Sequence, residues 1–130
     1  MAEIAAQFLK TQNPARERAF IAERAGQVVG SVFCVDAGGD LAKLRMLYVD
    51  AAARGTGLGR RLVRECLAFA RAAGYRRMTL WTNDVLASAR RIYQAEGFAL
   101  VAGDRHHSFG VDLIGETWEL DLARPQSACP

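Results

Sequence analysis

The stretch Arg54-Gly55-Thr56-Gly57-Leu58-Gly59-Arg60-Arg61 limits what this chain can become more than any other. It closes a β-like run from Leu44 to Val49 and opens a helix-patterned segment that ends at Gly74. Glycine admits positive φ and lets backbone approach a ligand closely, and the first turn of a helix carries N–H groups without intrahelical partners. The helix dipole favours an anion at that end, and flanking arginines add bidentate donors. Such a turn suits a phosphate. Its spacing is Gly-x-Gly-x-Gly, not the Gly-x-Gly-x-x-Gly of a dinucleotide fingerprint, and it lacks the lysine of a P-loop. A strand-to-helix turn that binds nothing is the bland alternative for the glycines alone. Arg54 in front and Arg60 and Arg61 behind argue against it.

Arg54-x-x-Gly57-x-Gly59, after the strand end Val49-Asp50 and before an amphipathic helix, resembles the acyl-CoA pyrophosphate loop of the GNAT N-acetyltransferase superfamily. A second block is similar too: Asn83, then a helix running through Tyr93-Gln94-Ala95-Glu96-Gly97-Phe98. More narrowly, Trp81-Thr82-Asn83-Asp84-Val85-Leu86, His107-Ser108-Phe109-Gly110 and Thr117-Trp118-Glu119-Leu120 resemble acetyltransferase domains found behind MarR-type DNA-binding domains. The likeness runs roughly from Arg18 to Leu122, with its specificity in residues 44 to 98.

Length bounds the answer to one domain, expected over residues 1–122, with 123–130 as a disordered tail. Charged residues in the first thirty positions interrupt any signal peptide or membrane span, so a cytoplasmic protein without a membrane role is expected. Cys34, Cys66 and Cys129 have neither zinc nor disulfide spacing; Cys34 and Cys66 read as buried, reduced packing residues. Net charge is +3, yet between Lys43 and Arg91 eleven basic residues face three acidic ones. That excess suits a polyanion such as CoA. Nucleic acid is disfavoured, because the basic residues lack interleaved aromatics and a recognition helix.

Along the chain, Ala2 to Lys10 reads as a short helix with Ile4, Phe8 and Leu9 on one side. Arg18 to Arg24, Gln27 to Asp36 and Leu41 to Val49 read as an antiparallel meander. Gly59 to Ala73 is a helix, Arg77 to Thr82 a strand parallel to its neighbour, and Val85 to Ala95 a second helix. Phe98 to Val101 and Glu116 to Leu122 read as the last strands, with Ala102 to Gly115 as a long polar connection. The fold class expected is α/β (α+β): a mixed, mainly antiparallel central sheet with helices on its faces. By the resemblance it lacks the family's first strand and helix, which border the acceptor site.

The resemblance implies acetyl-CoA as co-substrate, no metal, and a small-molecule or peptide amine as acceptor. It assigns donor binding to Leu47, Tyr48 and Val49 on the strand end, to Arg54, Gly55, Thr56, Gly57, Leu58, Gly59 and Arg60 in the loop, and to Asn83. A backbone N–H on the strand end would stabilise the oxyanion. Tyr93 holds the position of a general acid; a helix tyrosine packed on the sheet is the alternative, and for Asn83 it is a helix N-cap. The base is sought among His106, His107 and Glu116, because the strand Leu41 to Val49 carries Lys43 and Arg45 and no carboxylate. Adjacent histidines without spaced partners do not suggest a metal. A non-catalytic CoA-binding sensor or scaffold is the alternative function. The missing front and apolar late strands make a homodimer an open expectation.

Overall fold

A computed structural model of the chain describes residues 3–7, 16–83, 87–108 and 111–122. The strands are β1 Glu3–Gln7, β2 Arg18–Arg24, β3 Gln27–Asp36, β4 Leu41–Val49, β5 Arg77–Asn83, β6 Ala99–Ser108 and β7 Val111–Asp121. They form one sheet in the order β1-β2-β3-β4-β5-β7-β6. Every neighbouring pair is antiparallel except β4 and β5. Among the described residues two α-helices interrupt the strands, α1 Leu58–Ala72 and α2 Ala87–Ala95.

Both helices belong to crossovers that step the same way along the sheet, β4 to β5 and β5 to β6. Right-handed connection then puts both on one face. Leu62, Val63, Cys66, Leu67 and Ala70 of α1 are fully buried there against Val32, Cys34, Ala42 and Leu44, while Met78, Leu80 and Trp118 continue the same core. Cys34 and Cys66 meet in this layer as buried free thiols; the hydrogen bond with Cys34, and then burial, raise the Cys66 thiol well above its ordinary range.

The structure corrects two readings. Residues 3–7 form a strand and not a helix: Ile4 pairs with Ala22 and Ala6 with Phe20 on β2. A five-residue stretch cannot hold a helix by itself, so the open edge of β2 decides its conformation. A strand therefore opens the sheet, where the front strand was expected to be absent. The supposed polar connection from Ala102 to Gly115 is mostly paired strand, with Asp104 opposite Gly115 and Ser108 opposite Val111. Its polar composition reflects a sheet-edge hairpin, where one strand has a partner on a single side. Asp84 to Leu86, where the second helix was expected to begin, and the tail from Ala123 lie outside the described residues.

One irregularity shapes the centre. Ser31 pairs with Tyr48 and Phe33 with Arg45, so Val32 faces two residues of β4, Met46 and Leu47. Met46 takes φ 56°, left-handed for a residue with a side chain. This β-bulge reverses the inside-outside alternation of everything after it. Leu44 faces α1; beyond the bulge Leu47 and Val49 face it and Tyr48 turns away. On its other side β4 pairs with β5 only from Leu41–Arg77 to Lys43–Thr79, after which the two strands part.

Gly30 lies where the bulge meets α1. A Cβ there would stand 2.9 Å from Leu62 Cδ1, 3.0 Å from the Tyr48 carbonyl oxygen and 3.1 Å from Leu58 Cδ2. Gly30→Val is expected to lower unfolding free energy by about 1–3 kcal/mol, since backbone on one side cannot yield. Chemical denaturation of the purified variant checks it, and an unchanged midpoint would contradict the close packing.

Candidate active site

Between the parted end of β4 and the start of α1 lies a cleft of about 500 Å³. Leu47 and Val49 line it from β4, Arg54, Gly55, Gly57, Leu58, Gly59 and Arg60 from the turn and first helical residues, and Ser88, Ala89 and Ile92 from α2. The turn is built from local rules. Asp50 N–H donates to the Val29 carbonyl, Ala53 N–H to that of Asp50, and the Thr56 hydroxyl to that of Ala53 at 2.6 Å. Gly55 and Gly57 take φ 81° and 80°, conformations that favour glycine. Gly57 is the N-cap of α1 and, as glycine, has no side chain to cap the N–H groups of that first turn. They face the cleft with the positive end of the helix dipole. Gly59 serves packing, because a Cβ there would approach Ile92 Cδ1 to 2.9 Å.

Eight of the eleven positions assigned to donor binding line the cleft together. Tyr48 does not: the bulge turns it outward, 48% exposed, and its hydroxyl donates to Asp50 Oδ1 at 3.0 Å, a bond that holds the phenol above its ordinary range. Thr56 closes the turn from behind. Asn83 ends β5 with its backbone opposite Gly115, and its side chain lies outside the described residues. Sequence reasoning missed Ser88, Ala89 and Ile92, whose only signal was helical spacing on α2.

The catalytic candidates are dispersed. Tyr93 is buried at 4% exposure, its ring 5.7 Å from that of Phe98, and it is not one of the residues lining the cleft. Burial, with a smaller contribution from Cys66, pushes its phenol up to about 12. Glu116 is buried on the helix-facing side of β7, where Oε1 accepts from Arg90 Nε at 2.9 Å and Trp118 Nε1 at 3.2 Å. His107 lies on the edge strand β6, opposite Asp112, with β7 and β5 between it and β4. Among the described residues no group of three His, Cys, Asp or Glu is placed to hold a metal.

A buried carboxylate steadies the cleft. Glu96, just past α2, has a side chain 1% exposed that accepts from Arg60 Nε at 2.8 Å and Arg64 Nε at 3.2 Å. Both arginines are about half exposed. The clamp ties the first turns of α1 to the end of α2.

Residues 2–98 match the family model described as Acetyltransferase (GNAT) family, and the chain belongs to that family. It is 35% identical over 83 residues to the IAA acetyltransferase of Azospirillum brasilense, spanning 63% of this chain and 54% of that protein. It is 35% identical over 85 residues to the mycothiol acetyltransferase of Thermobispora bispora, covering 61% of this chain and 29% of that one. The chain thus spans about half the length of the first relative and under a third of the second. Among solved structures, Salmonella typhimurium yncA with its cofactor acetyl-CoA superposes with a TM-score of 0.75 at 26% identity, covering 88% of this chain and 71% of that one.

Two outcomes follow from the geometry. Glu96→Ala removes the desolvated charge and leaves two hydrated arginines, so it should cost about 1–2 kcal/mol. The Arg60→Ala/Arg64→Ala double variant removes both cations from the buried carboxylate and should cost more, about 3 kcal/mol. Denaturant midpoints in the reverse order would contradict the clamp. For Tyr93, a folded value raised from 10.0 to about 12 favours the neutral phenol in the native state. Its contribution to stability is full below pH 10 and is lost as pH rises toward 12, on the order of 2–3 kcal/mol. Tyr93→Phe should remove that part of the alkaline decline, measured by denaturant unfolding at pH 9 to 12 against the parent.

Proposed function

We propose that the protein is an acetyl-CoA-dependent N-acetyltransferase that moves an acetyl group to a primary amine by direct attack, without a covalent enzyme intermediate. The observation that carries this reading is the glycine turn at an uncapped helix N-terminus, placed beside the unpaired end of β4. These residues fit the donor's diphosphate: Gly55 and Gly57 leave open space beside the backbone, and Arg54 and Arg60 line the same cleft. The match to yncA, whose structure holds acetyl-CoA, supports it.

Bound acetyl-CoA would supply a thioester carbon open to nucleophilic attack. The N–H groups of the first α1 turn and the two arginines hold the diphosphate, and the backbone from Leu47 to Val49 orients the pantetheine arm as an added strand would. A backbone N–H there donates to the thioester oxygen as charge develops on it. The new C–N bond forms as the C–S bond breaks; the amine gives up a proton to a base and the departing sulfur takes one up, for which Tyr93, buried outside the cleft lining and next in sequence to the lining residue Ile92, is the candidate donor. A phenol with a pKa near 12 is protonated at neutral pH, as an acid must be. His107 and Glu116 are the candidates for the base, the latter only after release from Arg90.

The acceptor is a small-molecule or peptide amine, the setting cytoplasmic and the assembly monomer or homodimer. The narrower likeness to domains behind MarR-type proteins rests on residues 81–86, 107–110 and 117–120 alone. A non-catalytic CoA-binding module remains the competing reading, separated by turnover.

Calorimetry with acetyl-CoA should give a dissociation constant in the micromolar range, weakened about tenfold or more in Gly57→Ala, where φ 80° opposes a side chain. Absence of binding at about 1 mM would sink the proposal. With an acceptor in hand, Tyr93→Phe should lower kcat about 100-fold with the KM for acetyl-CoA unchanged. Unaltered turnover would remove Tyr93 from the mechanism.

A further inference from the structure

The carboxylate clamp beside the cleft has a geometry that stability alone does not account for. Glu96 follows α2 directly, one helical turn after the lining residue Ile92, and its N–H donates to the Ile92 carbonyl at 3.0 Å. On α1, Arg60 and Arg64 are likewise one turn apart, and both Nε atoms reach the same carboxylate: Arg60 at 2.8 Å to Oε2, Arg64 at 3.2 Å to both oxygens. The two arginines differ in where they stand. Arg60 lines the cleft, and Arg64 is not among its lining residues. Pairing a buried carboxylate returns about what its desolvation costs, so against an apolar contact of the same size the arrangement gains little. What it fixes is direction. A guanidinium is a rigid plane with donors on more than one edge, so a side chain held at Nε has its Nη donors aimed as well. Arg60 is 48% exposed, and without Glu96 it would be an ordinary surface arginine with many rotamers.

Resting on the acetyltransferase reading above, we infer that Glu96 is a positioning residue for the donor: it acts through Arg60, aiming that guanidinium at the diphosphate, and so sets the preference for a whole acyl-CoA over an acyl donor that lacks the diphosphate. Two effects of the buried charge compete. Glu96 lowers the positive potential that a diphosphate meets, which weakens binding by about twofold at physiological salt. Holding the long Arg60 side chain in one rotamer before the ligand arrives strengthens binding by about tenfold. Positioning wins, with a net gain of about fivefold. Arg64 shares the carboxylate without lining the cleft, so it contributes to the clamp and not to the donor.

Calorimetry with acetyl-CoA and acetylpantetheine, run as a double-mutant cycle, tests the assignment. Glu96→Gln, which keeps the shape and one acceptor oxygen, should weaken acetyl-CoA about fivefold. In an Arg60→Ala background, where acetyl-CoA is already about tenfold weaker, the same change should alter affinity by no more than about twofold. Arg64→Ala perturbs the same carboxylate away from the cleft and should leave acetyl-CoA within about twofold of the parent; Glu96→Gln should leave acetylpantetheine within the same limit. Equal weakening of acetyl-CoA and acetylpantetheine, full additivity with Arg60→Ala, or no loss in Glu96→Gln overturns the inference while the acetyltransferase reading stands. If the parent does not bind acetyl-CoA, that reading fails, and inorganic pyrophosphate still judges the clamp: binding weakened about fivefold in Glu96→Gln supports it, and equal or absent binding overturns it.

Discussion

The bulge at Met46 is the constraint on which the cleft depends. A side chain held in the left-handed region costs about 1–3 kcal/mol, so its neighbours must over-determine it. They do so on two sides: β3 pairs with β4 before and after the extra residue, and Gly30 admits the Tyr48 carbonyl together with Leu58 and Leu62 of α1. One inserted residue then turns Leu47 and Val49 toward the glycine turn and Tyr48 away from it. The same strand is free of β5 beyond Lys43. Backbone donors and acceptors are thereby left along the cleft wall, where a strand-like ligand can satisfy them.

Much of the basic excess in the middle of the chain is engaged inside the protein. The described part of α2 spans nine residues, marginal for a free helix in water, and its position is held by tertiary ties. Glu96 fastens its end to Arg60 and Arg64 of α1, and Arg90 fastens its body to Glu116 on β7, where Trp118 also donates. Burying each carboxylate is tolerable because charged donors reach it from the half-exposed side. Arg60 consequently serves twice, anchored to Glu96 through Nε and lining the cleft.

Where the reasoning from sequence succeeded, the information was local. The turn from Arg54 to Arg60, the helix through Leu67 and the cap at Gly74 are written in consecutive residues whose φ preferences and spacing act over one or two turns. Glu3 to Gln7 failed because five residues with Ile4 in their midst satisfy either period, and pairing with β2 decided between them. The stretch from Ala102 to Gly115, read as a connection between the last two strands, failed because its residues are polar, β6 being the edge strand, and its pairing is a property of the register between β6 and β7. Tyr48 was assigned to donor binding by resemblance, through the backbone of the strand end, and that its side chain turns away from the cleft follows from the bulge at Met46, a residue type that gives no local sign of one.

The sequence by itself determined the glycine turn that opens the first helix, the parallel crossover behind it and the family to which the chain belongs, because backbone conformation at glycines and helix amphipathicity are settled by near neighbours. Tertiary structure alone decided which side chains face the cleft, that Glu116 and Glu96 are tied to arginines, and that Tyr93 lies in the core. Each of these turns on strand register, on one extra residue at Met46, or on burial beneath an element distant in the chain. Such long-range pairings leave no signature in local spacing.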